Sequence, residues 1–179
     1  MANAKMNKHQ PVNPQYAIAL GQASKRALIY IGIGIAAAIV MLILTGEYVA
    51  FHCMVLAAVT LAAALSSAWS AASVLPEASP RAGMLGGMTA AMAYVLTFVA
   101  AYFVRFITLD EKMASLLAGE MSSAQATALV QQGMLPGLDY FRGQYLAYMV
   151  GYLLFGLIIG MLLGALGGYV VKRNPASKP

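Results

Sequence analysis

Apolar residues are concentrated in four long segments, which are separated by polar or proline-bearing stretches. These segments cover approximately residues 27–44, 48–75, 84–104 and 143–171, and none contains Asp, Glu, Lys or Arg. A helix rises about 1.5 Å per residue, so about 20 apolar residues cross the ~30 Å hydrocarbon layer of a bilayer. The pattern predicts an all-α integral membrane protein, built as a bundle of four transmembrane helices.

The polar stretches predict how the four spans are joined. Residues 1–26 form a cytoplasmic tail with a possible interfacial helix, since Asn13-Pro14 supplies an N-cap followed by proline at the first helical position. Thr45-Gly46-Glu47 predicts a tight turn between the first two spans. Residues 172–179 form a basic cytoplasmic tail.

The connection of residues 105–142 is long enough to have structure of its own. Its apolar residues recur at helical spacing, Ser122 or Ser123 can cap a short helix, and Gly133 can end that helix. We expect a long structured outer loop between the third and fourth spans. Two amphipathic helical pieces in it would rest on the outer membrane surface or cap the bundle.

Charge supports the membrane class and predicts the orientation. Only 9% of the residues are charged and 61% are hydrophobic, whereas soluble domains carry about 25% charged residues. With the N-terminus inside, three of the 11 lysines and arginines lie outside, namely Arg105, Lys112 and Arg142. This bias predicts two cytoplasmic termini, in a multi-pass protein of the bacterial inner membrane. It also explains the net charge of +5 without a nucleic-acid partner.

The fourth span contains glycine at every fourth position, which places these residues on one face of a helix. The face is about 18 Å long, and its residues are Gly156, Gly160, Gly164 and Gly168. Small residues let two helices in a bilayer approach closely, so this glycine face predicts a packing or docking surface. Its partner is either another subunit or a helix of the same chain. Within the chain the second span is the expected mate, because it carries small residues that include Ser66 and Ser70.

Aromatic residues follow helical spacing at the start of the fourth span. The series comprises Phe141, Tyr145, Tyr148, Tyr152 and Phe155. It is typical of an aromatic belt at the membrane interface combined with internal packing. The alternative interpretation is a slot for a quinone or a pigment.

Four polar residues are predicted to share the outer rim: Glu47, His52, Arg105 and Arg142. We expect His52 to be interfacial and hydrogen-bonded to Glu47 or to lipid headgroups. The default explanation of such a rim is that its solvated side chains anchor the helix ends at the membrane surface. Contact with a partner or ligand is the alternative. Paired haem ligation is not expected, because the only other histidine, His9, lies in the N-terminal tail.

Function is predicted from these features together. The spans carry no acidic or basic residue deep in the bilayer, and the chain has a single cysteine and no nucleophile, zinc-protease or phosphate-loop motif. We therefore expect no catalysis, no metal and no cofactor. The favoured hypothesis is a structural or accessory subunit that docks through the glycine face onto other membrane subunits or a second copy.

Two alternatives remain at this stage. One is a small oligomeric transporter or channel for an uncharged solute, with a continuous cavity lined by Ser66, Ser70, Tyr94, Thr97 or Tyr152. The other is an accessory protein that holds a quinone or pigment against the tyrosines.

Overall fold

The computed structural model describes residues 13–44 and 49–173, with the side chains of residues 49 and 50 excepted, and all regular structure in them is helical. The helices are α1 (Pro14–Leu44), α2 (Val49–Ala72), α3 (Ser79–Thr108), α4 (Glu111–Glu120), α5 (Ser123–Gln131) and α6 (Leu138–Arg173), with a 3₁₀ turn at Pro76–Ala78. Four of them, α1, α2, α3 and α6, are long and apolar enough to cross a membrane. The predicted all-α class and the four candidate spans are confirmed.

The long helices differ in length from the apolar segments that predicted them. A single helix of 31 residues begins at Pro14, and the Asn13 side chain accepts a hydrogen bond from the Gln15 backbone N–H at 3.0 Å. The expected interfacial piece and the first span are therefore continuous. Hydropathy marks only the apolar part of a helix, whereas the backbone hydrogen bonds continue into its polar flanks. The turn at 45–47 and the tail residues 1–12 and 174–179 lie outside the described residues.

Helices α2 and α3 form the centre of the fold, because each contacts the other three long helices. On α3, Gly86 faces Ser67 of α2, and Ala90 faces Gly34 of α1. A methyl group at Gly34 would lie 3.0 Å from the carbonyl oxygen of Ala90. Small residues thus set the separation of the helices around α3.

The short helices α4 and α5 follow α3 and have defined starts. Asp110 caps α4 by accepting a hydrogen bond from the Met113 backbone N–H at 2.7 Å. Ser122 caps α5, and Gln125 completes a reciprocal capping box. After α5 the chain adopts a left-handed conformation at Gly133 (φ 72°), which favours glycine.

Candidate functional site

The glycine face of α6 is buried against α3 of the same chain. A methyl group at Gly164 would lie 2.9 Å from Met84 Cα, and one at Gly168 would lie 2.6 Å from Pro80 Cα. These are backbone atoms, which cannot move aside as a flexible side chain can. The expectation that this face docks onto another subunit is wrong for the described chain, because α3 already covers it.

The face of α3 that receives the glycines was missed at the sequence level. It consists of Gly83, Gly87, Ala91 and Val95, again at four-residue spacing. Antiparallel packing places these residues in order against Gly168, Gly164, Gly160 and Gly156. The two pairs that consist only of glycines, Gly83 with Gly168 and Gly87 with Gly164, lie nearest the start of α3. The sequence signal for this face is a small residue at every fourth position near the start of the third span, namely Gly83, Gly87 and Ala91.

The expected pairing of the glycine face with α2 is also wrong. Ser66 and Ser70 are only half-buried, and the neighbouring Ser67 is the serine that is fully buried. The Ser67 side chain lies where a methyl group at Gly86 of α3 would stand. α2 does touch α6, where Ala64 lies against Gly167, but that glycine is outside the period of four.

His52 belongs to the protein core and not to the outer rim. Its side chain is fully buried, and its Nδ1 lies 3.3 Å from the Tyr94 hydroxyl, within hydrogen-bond distance. The imidazole also packs edge-on against Phe98, with 4.4 Å between ring centroids. The helical phase of α2 turns position 52 toward α3 and α6, and hydropathy alone does not reveal that phase. Its burial contradicts the predicted contact with lipid headgroups, whereas the predicted bond to Glu47 falls on a residue outside those that the structure describes.

The tyrosines of α6 pack against a second aromatic series on α3. Phe98 lies 5.2 Å from Tyr152 between ring centroids, and Tyr102 lies 5.4 Å from Tyr148. Tyr94 stacks on Phe98 at 5.3 Å. Rings from both helices therefore fill the space between α3 and α6. Internal packing, one of the two predicted roles, explains the tyrosines that face α3.

Two residues of the expected rim lie close to the end of α3. The Arg105 guanidinium lies 5.6 Å from the Tyr102 ring centroid. Arg142 donates a hydrogen bond to the Leu109 carbonyl at 3.3 Å. Glu47, the other predicted member, lies outside the described residues, and His52 is buried below this layer. Arg105 and Arg142 thus both lie near the end of α3, each against a different residue.

The concave regions of the described chain include three that lie outside the packed core. A cavity of about 390 Å³, named the outer cavity after the predicted outer loop that contains α4 and α5, lies between these helices and the start of α6. An apolar groove of about 620 Å³ lies between α1 and α3. A recess of about 280 Å³ next to Cys53 lies between α2 and α6.

Two of the five residues expected to line a transport path lie beside these regions. Thr97 lines the groove between α1 and α3, and Tyr152 lines the recess next to Cys53. Tyr94 is fully buried in the aromatic packing. Ser66, Ser70 and Tyr94 line none of the three regions, so these regions of the described chain do not join the five residues in one cavity. Among the described residues, no group of three or more His, Cys, Asp or Glu side chains is placed to hold a metal ion.

Comparison of the chain with known protein families, with curated proteins and with solved structures gives no match.

Proposed function

We propose that the protein is a non-catalytic structural or accessory subunit of a membrane assembly. The observation that carries this proposal is the groove between α1 and α3, which we assign to a transmembrane helix of a partner subunit. The glycine face of α6 is occupied within the chain, so docking requires a different surface.

Small residues of α3 form the floor of this groove. Ala93, Thr97 and Ala100 recur at intervals of four and three residues, which places them on one face of the helix. The Thr97 hydroxyl donates to the Ala93 carbonyl of its own helix at 2.9 Å. This bond satisfies the hydroxyl, so the floor offers apolar contacts to a helix in the bilayer.

Larger residues form the walls of the groove, with Ile31 and Ile35 on α1 and Met92 and Leu96 on α3. A partner helix placed between these walls could bring its backbone close to the small residues of the floor. The fold uses the same kind of contact internally between α3 and α6. Helices in lipid associate through such close packing, because lipid tails are as apolar as the side chains.

The first prediction tests the groove by filling it. Replacing Ala100 with phenylalanine should displace a partner helix from the floor while leaving the chain inserted and folded. We expect the native complex, purified in mild detergent, to shrink to the mass of the isolated chain in its micelle. Overpacking costs about 1–3 kcal/mol, which corresponds to roughly a fivefold to 150-fold loss of association.

The matched control is Ala58→Phe, which places the same ring on an exposed alanine of α2 outside the groove. The control should keep the complex at its original size. If Ala100→Phe and Ala58→Phe gave complexes of equal size, the groove would not be the docking surface. If the unmodified protein were already an isolated monomer, the accessory role itself would be rejected.

We further propose that both termini face the cytoplasm of a bacterial inner membrane. The start of α1 and the last turns of α6 lie at the same end of the fold. Ala19 of α1 clusters with Ala78, and Gly168 of α6 contacts Pro80. Lys172 and Arg173 follow in the last turn of α6. Basic residues near the ends of spans are retained on the cytoplasmic side, which supports this orientation.

The second prediction tests this orientation with single cysteines in a Cys53→Ser background. A membrane-impermeant maleimide applied to intact cells should label Ser123→Cys at the start of α5 but not Ser24→Cys in α1. Both positions are exposed. Permeabilised cells should give labelling at both sites, which controls for reactivity. The reverse pattern in intact cells would invert the proposed topology.

A further inference from the structure

The outer cavity lies between three segments of the chain, is open on one side, and combines aromatic rings, side-chain amides and one carboxylate. Residues of α4, α5 and the first turns of α6 form its wall. The volume of about 390 Å³ falls within the range of about 300–1,000 Å³ typical of small-molecule sites. Its lining differs in kind from the almost entirely apolar groove between α1 and α3.

Aromatic side chains supply one wall of this cavity. Tyr140 and Phe141 meet edge to face, with 5.2 Å between their ring centroids. Tyr148 also lines the cavity and is braced on its other side by Tyr102. Gln144 donates a hydrogen bond to the Tyr140 hydroxyl at 2.7 Å, which fixes the ring and the amide relative to each other. The wall is therefore ordered by contacts within the protein.

Glu120, an exposed residue at the end of α4, is the one charged side chain that lines the cavity. No lysine or arginine of the described chain pairs with its carboxylate. Ring faces and a carboxylate both attract positive charge, so the cavity favours a cation over an anion or a neutral solute.

The same residues discriminate among cations. A calcium or magnesium ion needs about six or more oxygen ligands with defined geometry, whereas the cavity offers one carboxylate and several amides. An alkylated ammonium group is weakly hydrated, and aromatic rings recognise it through cation–π attraction. An alkylammonium ion can place its methyl groups on the rings and its charge toward Glu120.

We infer that this cavity binds an alkylammonium ion, supplied either as a free solute or as the headgroup of a choline lipid. Tyr140, Phe141 and Tyr148 contact the methyl groups, and Glu120 supplies the opposite charge. The inference stands independently of the accessory role, because the cavity lies apart from the groove between α1 and α3.

The third prediction is measured by titrating the full chain, in maltoside detergent, with choline and with its uncharged analogue 3,3-dimethylbutan-1-ol. The two probes have the same shape and differ in charge, so we expect choline to bind at least about tenfold more tightly. Calorimetry or the tyrosine fluorescence of the protein follows the binding. Equal binding of the two probes, or no binding of choline, would overturn the inference.

Two variants and one control locate the binding in the cavity. Glu120→Gln keeps the size of the side chain and removes its charge, and we expect choline affinity to fall about twofold to fivefold, as for an exposed ion pair. Tyr140→Leu should lower it by a similar factor through a different contact. Glu111→Gln changes an exposed acid of the same helix outside the cavity and should leave the affinity unchanged. Equal losses in Glu120→Gln and Glu111→Gln would place the binding elsewhere.

Bilayer discs of two compositions identify the source of the cation. Weaker choline binding in phosphatidylcholine discs than in discs of phosphatidylethanolamine, which is also zwitterionic, would mean that the choline headgroup already occupies the cavity. Equal choline binding in both would assign the cavity to a soluble alkylammonium ion. Choline that binds in neither disc would overturn the inference. Failure of the accessory role would be seen in the size of the complex and not in this titration.

Discussion

Replacing Gly164 with leucine is expected to lower the free energy of unfolding by about 1–3 kcal/mol or more, as overpacking does in other cores. The reason is steric, since even a methyl group at this position would lie 2.9 Å from Met84 Cα and 3.0 Å from its carbonyl oxygen. Helices α3 and α6 must separate to admit the side chain. Thermal unfolding in detergent measures the effect, and insertion into the membrane should be unaffected because leucine favours the bilayer.

The matched control is Gly151→Leu on the same helix, where no atom lies within 4 Å of the added Cβ. Leucine is a better helix former than glycine by roughly 1 kcal/mol at both positions, so the difference between the variants isolates the contact with α3. We expect Gly160→Leu to fall between them, because its nearest neighbour is the Ala91 side chain at 3.0 Å and not backbone. Equal stability of Gly164→Leu and Gly151→Leu would contradict the close approach of α3 and α6.

Replacing His52 with leucine is expected to cost about 1–3 kcal/mol of stability, despite the gain in hydrophobicity. The Tyr94 hydroxyl lies 3.3 Å from the imidazole, and both side chains are fully buried. Removing the histidine leaves the hydroxyl buried without this partner, and a buried polar group without a hydrogen bond is costly. Thermal unfolding of the variant measures the loss.

A double-mutant cycle with Tyr94→Phe separates the hydrogen bond from the change in packing. Once the hydroxyl is absent, loss of the imidazole should cost less, and we expect a coupling of about 0.5–1.5 kcal/mol. Met54→Leu, at a lipid-exposed position of α2, controls for a substitution in the same helix and should be nearly neutral. A cycle with no coupling would mean that the pair does not contribute a hydrogen bond to stability.

The helical class and the spans could be predicted from the sequence because a bilayer imposes a strong constraint. Its interior offers no hydrogen bonds to the backbone, so apolar segments of sufficient length must be helices. The start of α1 at Pro14 was likewise readable, since an N-cap and an N-terminal proline are local signals. These features depend on neighbours in the chain and on the surrounding solvent.

The periodicity of the glycines also determined that α6 carries a face for close packing, but it did not identify the partner. Any helix with a matching row of small residues satisfies such a face, and α2 contains many. The antiparallel register that sets Gly87 against Gly164 and Gly83 against Gly168 is a property of the assembled fold. Because α3 covers the glycine face, the proposed docking surface is the groove between α1 and α3.

The burial of His52 and the formation of the outer cavity depended on tertiary structure for the same reason. A polar residue near a helix end reads as interfacial in sequence, yet the rotation of α2 turns position 52 toward Tyr94 and Phe98. The cavity joins Glu120 to Tyr140 and Tyr148, which lie 20 or more residues further along the chain. Local sequence thus determined which segments are helical and which faces are small or aromatic. Only long-range packing decided which faces meet, because that choice depends on how all of the helices fit together.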